Sequence, residues 1–138
     1  MMQWNKVNKL DFTSLEKALN SLERAIERSQ TVPEDEEIRD SVIQRFEYTY
    51  ELSWKMLKRQ LKIDSQTPVS IDAMAFKEVI REAAERSLLN NPEAWFEYRR
   101  QRNITSHAYN ETKAISVYKT ALNFLKDAKT LLQNLQHL

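Results

Sequence analysis

Not one of the 138 residues of this chain is glycine. Hairpin turns, sheet bulges and phosphate-cradling loops lean on glycine because it reaches positive φ without a Cβ clash. Its absence argues against β architecture and against P-loop or dinucleotide-binding motifs, whose signatures require it. An all-helical fold is left, with the three prolines acting as punctuation between helices.

The length suits one domain, residues 1–138, around a single core. With 41% hydrophobic and 30% charged residues, the composition is neither that of a disordered tail nor that of a membrane protein. No apolar run approaches the roughly 20 residues that span a bilayer, and "MMQWNKVNKLDF" lacks a signal-peptide apolar block. A cytoplasmic protein is expected. Zero cysteines rule out a disulfide framework and a thiolate metal site. Twenty-one basic residues against 20 acidic leave a net charge of +1, so any nucleic-acid contact must come from a local patch.

Apolar periodicity divides the chain into about five helices, four long and one short. "TSLE" at Thr13–Glu16 has the form of a capping box, followed by Leu15, Leu19, Leu22 and Ile26 at helical spacing. Val32 and Pro33 end that helix near residue 30. Glu34, Asp35, Glu36 and Glu37 then place negative charge at the N-terminus of a long second helix, whose stripe is Ile43, Phe46, Tyr50, Trp54, Leu57 and Leu61. Its aromatics, with Trp95, are expected in the core or a dimer interface. Lys55, Lys58, Arg59 and Lys62 read as a solvated face. "DSQTPVS" forms a loop before a short helix that buries Phe76, Val79, Ile80 and Ala83. Asn91 and Pro92 provide the cap and first position of a fourth helix. A fifth starts near Asn110 or Thr112, with Ala114, Tyr118, Ala121, Leu125, Ala128, Leu132 and Leu135 as a seam for knobs-into-holes packing. Short connections between long amphipathic helices imply an up-and-down antiparallel bundle.

One stretch is not explained by packing. "RRQRNITSHAYNET", residues 99–112, gathers arginines, a histidine, a tyrosine and two asparagines around little apolar filler. On a helix Asn103 and His107 share a face, Arg102 and Tyr109 return to nearly one azimuth, and Ser106 lies on the stripe of Arg102. Arg102 and His107 are offset by about 140° on an ideal helix. They converge on one ligand if the helix ends near His107 or if a second chain completes the site. The plainer alternative is a surface helix on which Arg99, Arg100 and Arg102 pair with Glu93, Glu97 and Glu111.

The patch offers a charged fork suited to phosphate, an imidazole that exchanges protons near neutral pH, an orienting amide and a phenol. Those are parts for cleaving a phosphodiester without a metal or cofactor: a base takes the 2′-hydroxyl proton, an acid protonates the leaving oxygen, and an arginine stabilises the charge on phosphorus. One chain supplies one well-placed histidine, since His137 sits beside the last residue. A two-fold dimer would bring two copies of His107 and Arg102 to one cleft.

Arg102, four residues, His107, one residue and Tyr109, followed by "NE", resembles the motif of HEPN-domain proteins. In particular it resembles the small proteins encoded beside a minimal nucleotidyltransferase (MNT), also called nucleotidyltransferase substrate-binding proteins. The resemblance extends through "LEKAL", "RFEYTYELSWKMLK", "REAAERSLL" and "RNITSHAYNE", nearly the whole chain. It implies that Arg102 and His107 are a ribonuclease pair, that Asn103 is the polar residue following the arginine, and that Tyr109 receives AMP from the MNT partner. Arg99, Arg100 and Ser106 are then candidates to bind RNA or nucleotide. Two functions follow from it. One is a toxin-type, metal-independent endoribonuclease, homodimeric and silenced by AMP transfer. The other is a non-catalytic substrate-binding subunit of a two-component nucleotidyltransferase.

Overall fold

The computed structural model describes residues 10–105 and 110–138. Among the described residues there are six helices and no strand: α1 (Thr13–Thr31), α2 (Glu36–Asp64), α3 (Pro68–Asp72), α4 (Phe76–Glu85), α5 (Pro92–Thr105) and α6 (Glu111–Gln136).

Several helix starts follow from local chemistry. Asp35 accepts from the backbone N–H groups of Glu37 and Ile38 at 3.0 and 3.2 Å, so the acidic run does open α2. Asn110 accepts from the N–H of Lys113 at 2.8 Å and opens α6. Asn91 stands before Pro92 and accepts from Ala94 at 3.4 Å. The capping box expected at Thr13–Glu16 is not formed. Thr13 is itself the first helical residue, and its N–H is taken by Asp11 Oδ1 at 2.9 Å. "DSQTPVS" is also not all loop, because Pro68 begins the one-turn helix α3. There Lys58 and Lys62 of α2 pair with Asp72, at 3.5 and 2.9 Å, so part of the basic face is used to hold α3.

The end of α4 shows how a glycine-free chain makes a left-handed turn. Ser87 takes φ 62°, its N–H donates to Ala84 O at 3.0 Å, and Leu88 N–H donates to Ala83 O at 2.9 Å. This is the pair of bonds of a Schellman cap, and Leu88 and Ala83 are both buried beneath it. A residue with a Cβ adopts this conformation at a cost in steric strain.

Cross-links between helices fix their directions. From α1 to α6, Gln136 reaches Glu16, Lys129 pairs with Glu23, and Tyr118 bonds Ser29, so the two run antiparallel. Arg45 donates to the Ser21 carbonyl and Thr49 to that of Ala18, making α1 and α2 antiparallel. Tyr98 donates to Asp127, and Ser116 donates to Gln101, making α5 and α6 antiparallel. The long helices α1, α2, α5 and α6 thus form an up-and-down bundle, with α2 and α6 packed across its diagonal.

The core gathers on Phe124 of α6. Four rings surround it, with centroids at 5.1 Å (Phe46), 5.3 Å (Tyr98), 5.8 Å (Trp95) and 6.3 Å (Tyr50). The three nearest meet it edge to face, the arrangement that aromatic quadrupoles favour. This shifts the seam from the one expected. Ala114, Ala121, Ala128 and Leu135 are buried as expected, but Val117, Phe124 and Leu131 complete the row. Tyr118, Leu125 and Leu132 sit at its half-buried edge. Both rows alternate steps of three and four, so spacing alone could not separate them.

Candidate functional site

Helix α5 divides its side chains between two neighbours. Tyr98 and Gln101 are buried toward α6. The Tyr98 hydroxyl donates to the Asp127 carboxylate, and burial together with that carboxylate holds the phenol far above its usual range. Gln101 bridges Glu97, to which it donates at 2.8 Å, and Ser116. With those positions fixed, Arg99, Arg102 and Asn103, at i, i+3 and i+4, fall on another face of the helix.

That face borders a cleft of about 330 Å³ lined by Tyr50, Glu51, Trp54, Phe76, Arg99, Arg102 and Asn103. Tyr50, Glu51 and Trp54 come from neighbouring turns of α2, and Phe76 is the first residue of α4. Arg102 Nε is sealed from solvent and lies 2.8 Å from Glu51 Oε1. Arg102 reaches across to Glu51 of α2, and Glu111 pairs with Arg39 at 2.9 Å. Arg99 lies against a ring, with its guanidinium 4.2 Å from the Phe76 centroid. Trp54 packs on the same ring from α2, centroids 4.9 Å apart and tilted by 47°.

Tyr50 is 3% exposed and closes the inner wall of the cleft. Burial is the main cause that pushes its phenol far above the ordinary value, while Arg99 and Arg102 pull it down and Glu51 raises it. Its hydroxyl therefore stays protonated beside the two guanidinium groups, as a donor rather than an anion. Tyr50 and Glu51 are not among the residues that the sequence marks as a site. Their signal in "RFEYTYELSWK" is the chemistry of an otherwise apolar face, visible only once α5 is laid against it.

Arg100 is placed differently. It holds Glu97 through Nε at 2.9 Å and Nη2 at 2.7 Å on the open side of α5, away from the cleft lining. That bond, followed by the one from Gln101, lowers the Glu97 carboxyl below its ordinary value. Ser106, His107 and Tyr109 lie outside the described residues. Among the described residues no cluster of histidine and carboxylate side chains is arranged to hold a metal ion. No helix there is long and apolar enough to cross a membrane.

A larger hollow of about 670 Å³ lies between the α1–α2 turn and α6. Its wall carries Glu34, Asp35, Glu36 and Glu111 against Arg39 and Lys119. That excess of carboxylates repels a phosphodiester. The smaller cleft carries two arginines to one glutamate.

Comparisons with known proteins bear on the family and the fold. Residues 10–137 match the family model described as "Nucleotidyltransferase substrate binding protein like". A protein of Haemophilus influenzae named probable ribonuclease HepT is 37% identical over 137 residues, 94% of each chain. A solved Haemophilus influenzae structure, described as revealing the fold of a substrate binding domain of a nucleotidyltransferase, superposes with a TM-score of 0.84. It is 36% identical and covers 91% of this chain and 99% of its own. A Thermus thermophilus structure superposes with a TM-score of 0.68 at 30% identity, covering 88% of this chain and 98% of its own. The shared helical fold, the match over nearly the full length and the level of identity lead to one conclusion: this chain belongs to the nucleotidyltransferase substrate-binding protein family.

Proposed function

We propose that the chain is a toxin-type, metal-independent endoribonuclease of a HEPN/MNT pair, one cytoplasmic helical domain silenced when the partner nucleotidyltransferase transfers AMP to Tyr109. The observation that carries this reading is the meeting of Arg99, Arg102 and Asn103 on one cleft, in the last turns of α5. His107 and Tyr109 follow within the next four residues of sequence after Thr105. The relative named probable ribonuclease HepT supports it.

In this reading Arg102 grips the scissile phosphate by the part of its guanidinium that faces the cleft. A His107 imidazole takes the proton of the 2′-hydroxyl, the 2′-oxygen bonds to phosphorus, and the bond from phosphorus to the 5′-oxygen breaks. A second His107, protonated, gives its proton to that 5′-oxygen. Charge gathered on the non-bridging oxygens falls to Arg102 and Arg99. A two-fold homodimer brings the second imidazole to the groove. Silencing joins the Tyr109 phenol oxygen to the α-phosphorus of ATP, releasing pyrophosphate. The added phosphodiester and nucleoside then compete with RNA for the arginines.

The test is expression of the chain alone beside its His107→Ala variant, with growth and RNA integrity followed. Arrested growth and fragmented RNA with the native chain, both absent with the variant, are expected. Equal toxicity in the two, or none in either, contradicts the reading.

A second reading is favoured by the family description and by that of the solved relative: a non-catalytic subunit that binds substrate for a nucleotidyltransferase. It predicts a stable complex with the partner enzyme, and no RNA cutting under any condition. Mixing the two proteins and finding no complex, with Tyr109 unmodified after ATP and magnesium, removes it.

A further inference from the structure

The cleft is more than a place for phosphate, because one wall is aromatic. Trp54 is half-buried, braced on one side by Phe76, and contributes to the lining. Phe76 is already covered by the Arg99 guanidinium, so the indole is the flat surface left to an incoming ring. Asn103 is exposed at the rim with both amide functions, one turn from Arg99. A volume of about 330 Å³ stands at the small end of ligand pockets, roughly 300–1,000 Å³. It suits one nucleotide unit rather than a folded RNA element. Cations for phosphate beside an aromatic platform for a base are the means by which proteins hold single strands without reading sequence.

We propose that this cleft is a subsite for one nucleoside monophosphate unit, complete within one protomer. Trp54 stacks on the base, Arg99 and Arg102 hold the phosphate, and Asn103 reaches the sugar or base edge. The proposal rests on the reading of the cleft as the place where RNA is held, and adds that stacking selects what enters. Purines, with the larger face, bind better than pyrimidines, and the preference travels with Trp54 rather than with the arginines. The unit is either part of a strand or a free mononucleotide, and the two sources are separable.

Calorimetry on the full chain compares AMP, ribose 5-phosphate and a fully 2′-O-methylated oligoadenylate. The Trp54 indole N–H resonance, assigned by its loss in Trp54→Phe, serves as the local reporter. AMP is expected to bind about tenfold more tightly than ribose 5-phosphate, as one base stack implies. Trp54→Leu should erase that preference while leaving ribose 5-phosphate affinity unchanged, and Trp54→Phe should keep most of it, with helical circular dichroism intact in both. Arg102→Ala should weaken both ligands alike. Binding of the oligonucleotide through Trp54 identifies a strand as the source, and binding of AMP alone identifies a free nucleotide. Equal affinity for AMP and ribose 5-phosphate, or a preference that survives Trp54→Leu, overturns the proposal. Because the methylated strand has no 2′-hydroxyl to attack, binding is measured apart from cutting. A chain that stacks it yet leaves ordinary RNA whole ends the nuclease reading and keeps the subsite.

Discussion

Arg102 Nε and Glu51 Oε1 lie 2.8 Å apart, joining the last turn of α5 to the middle of α2. Side-chain exposures of 30% and 38% leave both partners partly covered. Such a pair contributes little to stability, about 0–1 kcal/mol. Its consequence is geometric, since a long flexible side chain is held at one azimuth beside the cleft it lines.

Glu51→Ala should therefore leave the thermal midpoint within about 3 °C of native while lowering RNA cleavage at least roughly tenfold. Paired measurements of melting and of cleavage by the purified variant check this. A large loss of stability with unchanged specific activity would assign the pair to folding instead.

At Ser87 the absence of glycine has a measurable cost. Its φ of 62° is reached against a Cβ clash of about 1–2 kcal/mol, partly offset because glycine has a freer unfolded chain. Ser87→Gly should raise stability by roughly 0.5–1 kcal/mol, read as a shift of the urea midpoint at constant slope. Ser87→Val should lower it.

Alkaline stability turns on Tyr98. Its folded phenol is raised above the ordinary 10.0 by burial, then by its bond to Asp127 and that carboxylate's charge. The stabilisation is complete below the unfolded phenol's pKa of about 10 and is lost as pH rises beyond it, because the unfolded phenol ionises first. Buried Tyr50 acts in the same direction. Melting temperatures should fall more steeply above about pH 10 in the native chain than in Tyr98→Phe. At neutral pH that variant should be less stable by about 1.5–3 kcal/mol, the worth of a hydrogen bond to a charged group.

Phe124 is fully buried among four rings. Phe124→Ala should cost about 3–5 kcal/mol, a large part of the stability of a domain this size. It also removes the support behind Tyr50, so weakened ligand binding in the cleft should accompany the lower denaturation midpoint.

The all-helical bundle is legible in the missing glycine and the apolar periodicity, and the starts of α2, α5 and α6 in Asp35, Asn91 and Asn110, because these effects are local. The phase of α6 is not. Val117 and Tyr118 each continue a row through Ala114 and Ala121, and only the rings waiting on α2 and α5 select the row through Phe124. The same limit applies to the cleft. Arg99, Arg102 and Asn103 stand out by composition, whereas Tyr50, Glu51 and Trp54 look like helix packing until α5 is laid across α2. Arg100, in the same cluster, turns instead to Glu97, its neighbour one turn back.

The most direct measurement is the chemistry of the cut. Purified chain, free of its partner, is incubated with a defined RNA in excess chelator, and the new ends are identified by mass spectrometry. Fragments ending in a 2′,3′-cyclic phosphate and beginning with a 5′-hydroxyl, formed by the native chain and by neither Arg102→Ala nor His107→Ala, are the expected result. Intact RNA, or the same fragments from those two variants, would contradict it.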